Sequence, residues 1–155
     1  MSSMSNQALG EYLIVFKNRI GENMAIYGIG AFFESDVSLD FISNNIAGTG
    51  WSNNESPEIH QYIRSLKVGD IIYIKSFAPK SRDLFIKAIG IILNDEIETN
   101  NPLVCIGRNV KWLITKSFRI QKPEEKNNVR SNTIYEEFHT EVQKAILDKI
   151  FQIGP

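Results

Sequence analysis

The chain has 155 residues, enough for one domain with a single core, and carries a formal net charge of −1. Strong nonspecific nucleic-acid binders carry a basic excess, so a polyanion partner here requires a local patch rather than the field of the whole molecule. One cysteine, Cys105, excludes an intramolecular disulfide, and no apolar run approaches the ~20 residues of a membrane-spanning helix.

Residues 1–10 lack the basic and apolar segments of a secretion signal and read as a disordered lead. Residues 11–155 read as one domain, with the cytoplasm as the simplest location. Residues 11–17 (EYLIVFK) predict a central strand, 18–23 a polar turn and 24–30 (MAIYGIG) a second strand. Ser35 or Asp36 can cap a short helix whose stripe is Leu39, Ile42 and Ile46, and 47–54 (AGTGWSNN) reads as a loop. Ser56, Pro57 and Glu58 form a helix start, and Ile59, Tyr62, Ile63 and Leu66 give one apolar face with His60, Gln61 and Arg64 turned away.

The stretch 67–94 organises the chain. Gly69 permits a positive φ and Asp70 can bond nearby amides, which makes a turn. Residues 71–77 are rich in Ile and Tyr and predict a strand, 78–83 break it with Pro79, and 84–93 are almost wholly apolar. A run that apolar is buried on both faces or bends to close a barrel, and Gly90 inside it marks a bulge or close approach. Residues 95–102 read as a surface loop, 103–106 as a short strand with Cys105 buried in it, and 110–120 as an alternating strand. Val110, Trp112, Ile114, Phe118 and Ile120 share its apolar face. Residues 121–132 read as a linker and 133–151 as a final helix with a stripe of Ile134, Phe138, Val142, Ala145, Ile146 and Ile150, and with Glu136 and Glu137 toward solvent. Helices inserted early into a mostly β chain argue an α+β fold, a small open β-barrel of five to six strands flanked by two or three helices.

Catalytic constellations are thin. His60 and His139 have no local partner, one cysteine and two distant histidines match no metal spacing, and Gly28-x-Gly30 falls short of a dinucleotide fingerprint. No catalytic residue, metal or cofactor is expected. The aromatic residues say more. Trp51 stands in a polar, glycine-rich loop where no core periodicity requires it, Phe32 and Phe33 follow a strand end, and Phe77 closes a strand. Such side chains are either plugs that seal a barrel end or walls of a pocket that stacks a flat ring, an interaction worth roughly 1–3 kcal/mol per base. Adjacent Phe32 and Phe33 face opposite ways, so at least one is expected in the core. Lys75, Lys80, Arg82 and Lys87 gather at the central hairpin, as a phosphate-neutralising patch or as charges that blunt a sheet edge.

The strand YLIVFK, then IYGIGAFF with Asp36, a tryptophan loop, the 59–66 helix, VGDIIYIKS and AIGII together resemble the EVE-like branch of the PUA superfamily, related to YTH and ASCH domains. The resemblance covers roughly 12–120, and the end (RSNTIYEE and an apolar helix) is similar to small EVE-like domains of bacterial defence and restriction proteins. It implies a PUA-like barrel that binds DNA or RNA and takes a flipped, modified base into an aromatic cage. By position, Trp51 with Phe32 or Phe33 would be walls, with Phe77 in the aromatic set. Ser35, Asp36 and Ser76 would read polar edges, and Lys75, Lys80 and Arg82 would hold phosphate. The chain departs from the family at Ala31-Phe32-Phe33, where relatives often place a tryptophan. The expectation is a noncatalytic nucleic-acid-binding module in a defence pathway, with nucleic acid and a protein of a larger system as partners and no membrane partner. Two rivals use the same fold: a small-ligand or protein-interaction domain, and an ASCH-like enzyme with a buried Lys75 or Lys87 beside a carboxylate.

Overall fold

The computed structural model describes residues 25–126 and 128–153. The strand predicted over 11–17, the turn over 18–23 and the lead over 1–10 lie outside the described residues. In chain order the elements are β1 (Ile26–Gly30), α1 (Ser38–Ser43), β2 (Ile46–Thr49), α2 (Pro57–Ser65), β3 (Ile71–Phe77), β4 (Leu84–Glu98), β5 (Ile106–Ile114), β6 (Phe118–Ile120), a 3-10 turn (Val129–Ser131), β7 (Ile134–Glu136) and α3 (Thr140–Phe151). The strands form one curled sheet of seven in the order β2-β5-β4-β3-β1-β7, with β6 beside the start of β4. The fold is α+β, a curled sheet with flanking helices, as expected; among the described residues the sheet has seven strands. β1 and β3 run parallel, and β1 and β7 antiparallel.

β4 is the spine. It pairs β3 from Leu84 to Ile91, β6 from Leu84 to Ile86, and β5 from Ile89 onward. Register shifts at Ile74/Lys75, Ile89/Gly90 and Ile92/Ile97 bend the sheet, because a bulged strand carries an extra residue and increases local twist. Both faces of the spine are buried. Ala88 and Ile92 join Ile29, Ile72, Ile74, Val110 and Trp112 in a core under α1 and α2. Leu84, Ile86, Ile89 and Ile91 join Ile71, Tyr73 and the Val142, Ile146, Ile150 stripe of α3 in a second core. The turn before β3 forms as read: Gly69 has φ 90°, and Asp70 accepts from the amide of Lys67 at 2.8 Å.

Several expectations are corrected. Residues 46–49, read as helix end and loop, form β2, all four buried, and Gly48 lets the backbone press on β5: a Cβ there would lie 2.1 Å from the Ile106 carbonyl oxygen. Consequently α1 is a short helix that buries Phe41 and leaves Leu39 exposed. β4 continues to Glu98, through the segment read as a loop. The strand read over 110–120 breaks at 115–117 and changes faces: Val110 and Trp112 enter the first core, Ile114, Phe118 and Ile120 the second. The final helix begins at Thr140 rather than 133, because Ile134 pairs in β7 while Phe138 lies exposed. Glu137, read as solvent-facing, is buried, and Cys105, read as buried, is exposed.

Candidate functional site

Two loops come together beside the first core. The 31–37 loop leaves β1 and folds on itself: Phe32 bridges Asp36, the Phe33 amide donates to the Ser35 carbonyl at 3.1 Å, and the Val37 amide to the Ala31 carbonyl at 2.7 Å. This curl turns Phe32 outward, 72% exposed, and Phe33 inward, edge-on to Phe41 with centroids 5.9 Å apart. The two adjacent rings therefore face opposite ways. The second loop follows β2. Its Gly50 lies under the Phe33 ring, where a Cβ would stand 3.3 Å from Cδ2, so Phe33 joins the 31–37 loop to the residue before Trp51.

The Trp51 main chain is fixed at both ends. Its amide donates to Thr49 Oγ1 at 3.2 Å, and its carbonyl accepts from His60 Nε2 at 2.6 Å. A carbonyl only accepts, so Nε2 carries the proton. His60, expected on the outer face of the helix, is buried instead, because the Trp51 loop crosses the first turn of α2. Ser52 and Glu55 close this loop reciprocally: Glu55 Oε1 accepts from the Ser52 amide at 3.0 Å, and Ser52 Oγ from the Glu55 amide at 3.2 Å. Ser56 occupies the N-cap position of α2 without a side-chain bond. The Trp51 ring is 50% exposed on this rigid base. Cys105 donates from Sγ to the Gly50 carbonyl at 3.2 Å, on the same loop.

Asp36 is the polar centre of the first loop. It pairs with the Lys87 ammonium, and its Oδ1 accepts from the Ser38 amide at 2.9 Å and from the Ser38 hydroxyl. Lys87 and Ser38 hold its carboxyl down to about 2. Ser35 and Ser76 are exposed, and Phe77 is half-buried with the Arg82 guanidinium 5.8 Å above its ring.

The three residues expected at phosphate diverge. Lys80 is exposed in the 78–83 turn. Lys75 donates from Nζ to the Arg130 carbonyl at 2.7 Å, and burial pulls its ammonium pKa down, against the opposing charge of Glu125. Arg82 lies 3.9 Å from Glu125. Lys87 reaches the 31–37 loop through Asp36. Of the two lysines named for the enzymatic rival, Lys87 meets Asp36 at the surface, and Lys75 bonds a main-chain carbonyl with the charge of Glu125 acting on it.

Away from these loops stands a buried polar network that the sequence reading missed. Arg130 donates from Nε and Nη2 to the two oxygens of Glu137, both at 3.1 Å. Tyr73 donates its single hydroxyl hydrogen to Glu137 at 2.7 Å, so at 2.8 Å the Tyr135 hydroxyl is donor to Tyr73. Gly28 makes room for it, since a Cβ there would meet the Tyr135 ring at 2.5 Å. A cleft of about 490 Å³ opens beside this network, lined by Arg82, Lys122, Glu125, Lys126 and His139 among others. Another of similar size lies between α2 and the 131–134 segment.

No protein-family model and no curated protein matches the chain. Among solved structures it is similar to the YTH domain of the Zygosaccharomyces rouxii MRB1 protein, solved in complex with N6-methyladenosine RNA. The TM-score is 0.51 at 12% identity, over 83% of this chain and 88% of that one. At this identity the likeness establishes the fold, a YTH-like curled sheet with flanking helices.

Proposed function

We propose that the chain is a noncatalytic nucleic-acid-binding module that stacks a flipped, modified base against Trp51. The observation that carries this reading is a half-exposed tryptophan ring on a main chain pinned by Thr49 and His60, joined through Gly50 and Phe33 to a loop that offers Phe32 and Asp36. Stacking needs an exposed ring that does not itself have to be ordered on binding, because immobilising a side chain opposes association. Asp36 supplies acceptor oxygens for a base amino group, and Lys87 a cation within reach of a phosphate. A similar fold has been solved with RNA carrying a methylated base, which supports the choice of partner. A role as an EVE-like sensor in a defence pathway belongs to the same proposal.

The test is binding of short single- and double-stranded DNA and RNA, with and without methylated adenine or cytosine, at two salt concentrations. Modification-dependent binding should be lost in Trp51→Ala. Salt-sensitive binding indifferent to both modification and Trp51 would reduce the site to a basic surface, and no binding at all would shift the reading to a small-ligand or protein-interaction domain.

A further inference from the structure

We infer that the cleft between the 78–83 turn and the 122–126 segment is a separate anion site for a phosphate group, in which the Glu125 carboxylate is the internal competitor. Glu125 lies 3.7 Å from Arg130 Nη1 and 3.9 Å from Arg82 Nη2. Its side chain is 1% exposed, yet neither carboxylate oxygen accepts a hydrogen bond. Burying a carboxylate without hydrogen bonds is costly. Arg130 offsets this by charge but gives Glu125 no hydrogen bond: its Nε and Nη2 donate to Glu137, its Nη1 donates to the Pro123 carbonyl at 3.1 Å, and Nη1 stays 3.7 Å from Glu125. Glu125 is therefore held between two guanidiniums by charge alone.

That is the environment a phosphate requires, occupied by a poorer acceptor. A phosphate brings more oxygens than a carboxylate and can bond Arg82 while reaching Lys122 and Lys126, which are exposed at the rim. His139 and the exposed Glu124 line the same cleft, and Asp83 on the 78–83 turn accepts from the Lys122 amide at 3.1 Å and pairs with Arg119. The surrounding backbone is under tension: Arg82, Lys122 and Asn128 hold φ values of 62°, 40° and 54°, a region that side-chain-bearing residues adopt at a cost. Release of Glu125 into water would restore its hydration and open the guanidinium of Arg82.

A nucleic-acid backbone and a free phosphate compound share this chemistry, and the experiment separates them. Inorganic pyrophosphate and a short unmodified RNA are titrated calorimetrically into the full chain and its variants. Glu125→Gln removes the competing charge and should tighten pyrophosphate binding about tenfold. Arg82→Ala and the paired Lys122→Ala/Lys126→Ala should weaken it, and Trp51→Ala should leave it unchanged. Absence of pyrophosphate binding in both wild type and Glu125→Gln, or equal affinity in the two, overturns the proposal. Should Glu125→Gln melt early, the exposed lysine pair decides: unchanged affinity there overturns it as well. Competition between RNA and pyrophosphate identifies the backbone as the source; independent binding identifies a free phosphate compound. The Trp51 reading fails on its own terms if base-dependent binding survives Trp51→Ala.

Discussion

Arg108 and Arg130 are both fully buried, and they are held in opposite ways. Arg130 faces a carboxylate: two parallel bonds to Glu137, which also accepts from Tyr73. Among the described residues, Arg108 has no carboxylate in its hydrogen-bond shell. It donates from Nη1 to the Ile63 and Leu66 carbonyls at the end of α2, from Nη2 to Asn94 and from Nε to Glu96 on β4. The negative end of the helix dipole and a set of main-chain oxygens serve as its counter-charge. The electrostatics follow. Burial lowers the Arg108 pKa despite Asp95 and Asp70, whereas at Arg130 the lowering by burial is outweighed by the bond and charge of Glu137, and the pKa rises. One arginine is half of a pair; the other is a clamp. The clamp matters for the site, because it anchors to β4 and β5 the helix whose first turn carries His60 and, through it, Trp51.

A pair can be deleted as a pair, and that is the largest expected difference. Arg130→Met leaves Glu137 buried without its partner and should cost about 3–5 kcal/mol in urea unfolding. Adding Glu137→Leu should recover the part of that loss due to Glu137, while the part due to Glu125, 3.7 Å from Arg130 Nη1, remains; strict additivity of the two would show that Arg130 and Glu137 do not act as a unit. The same network sets an alkaline limit. Burial, first, then the neighbouring charges raise the Tyr73 and Tyr135 pKa values above 10.0. Both tyrosines stay protonated in the fold while those of the unfolded chain ionise at 10.0, so their contribution is intact below that pH and is lost as pH rises beyond it. Tyrosinate absorbance should therefore appear together with unfolding for these two residues rather than before it.

Arg108→Met should cost less, about 2–4 kcal/mol, from several carbonyls left unpaired at roughly 1 kcal/mol each. No second-site substitution should restore it, since its hydrogen-bond partners are main chain. A Trp51 that becomes more accessible to a fluorescence quencher in this variant, read in a Trp112→Phe background, would show that the clamp supports the site. An unchanged Trp51 would mean that His60 alone fixes the loop. His60→Ala should cost about 1–2 kcal/mol through the orphaned Trp51 carbonyl and weaken any base stacking at Trp51.

The legible parts of this fold were those in which local and tertiary demands agree. The Gly69-Asp70 turn, β3, the spine of β4 and α2 each carry turn chemistry or periodicity that matches their final state. β2 was not legible because Ala47 and Gly48 have little strand propensity; what makes it a strand is the close approach of Gly48 to β5, which only the fold supplies. The two arginines were missed for a related reason. Arg108 lies between the segments read as strands and Arg130 in a segment read as a linker, and nothing nearby in sequence marks either as buried. Their partners sit 42–45 residues away on α2, in one case, and in the other 7 residues on, in a stretch read as helix surface. Trp51 could be singled out because a tryptophan without periodicity is itself a signal; His60 beneath it matched the helical outer face and gave none.

The smallest effect tests the comparison at its exposed limit. Asp36–Lys87 has the same chemistry as Glu137–Arg130, but the Asp36 side chain is 51% exposed. Solvent then screens most of the attraction, and an exposed pair of this kind contributes about 0.2–1 kcal/mol. Asp36→Asn should accordingly destabilise the fold by less than about 1 kcal/mol, with part of that from the bond to the Ser38 amide rather than from Lys87. The pH dependence carries a sign. The folded carboxyl is lowered to about 2 from 3.8, so its stabilisation is present above 3.8 and fades as pH falls through 2. Lys87→Met should remove much of that acid sensitivity and leave the Ser38 contribution. If Asp36→Asn instead cost as much as Arg130→Met, the 31–37 loop would be a structural latch, and its acidic side chain would be spoken for before any base arrived.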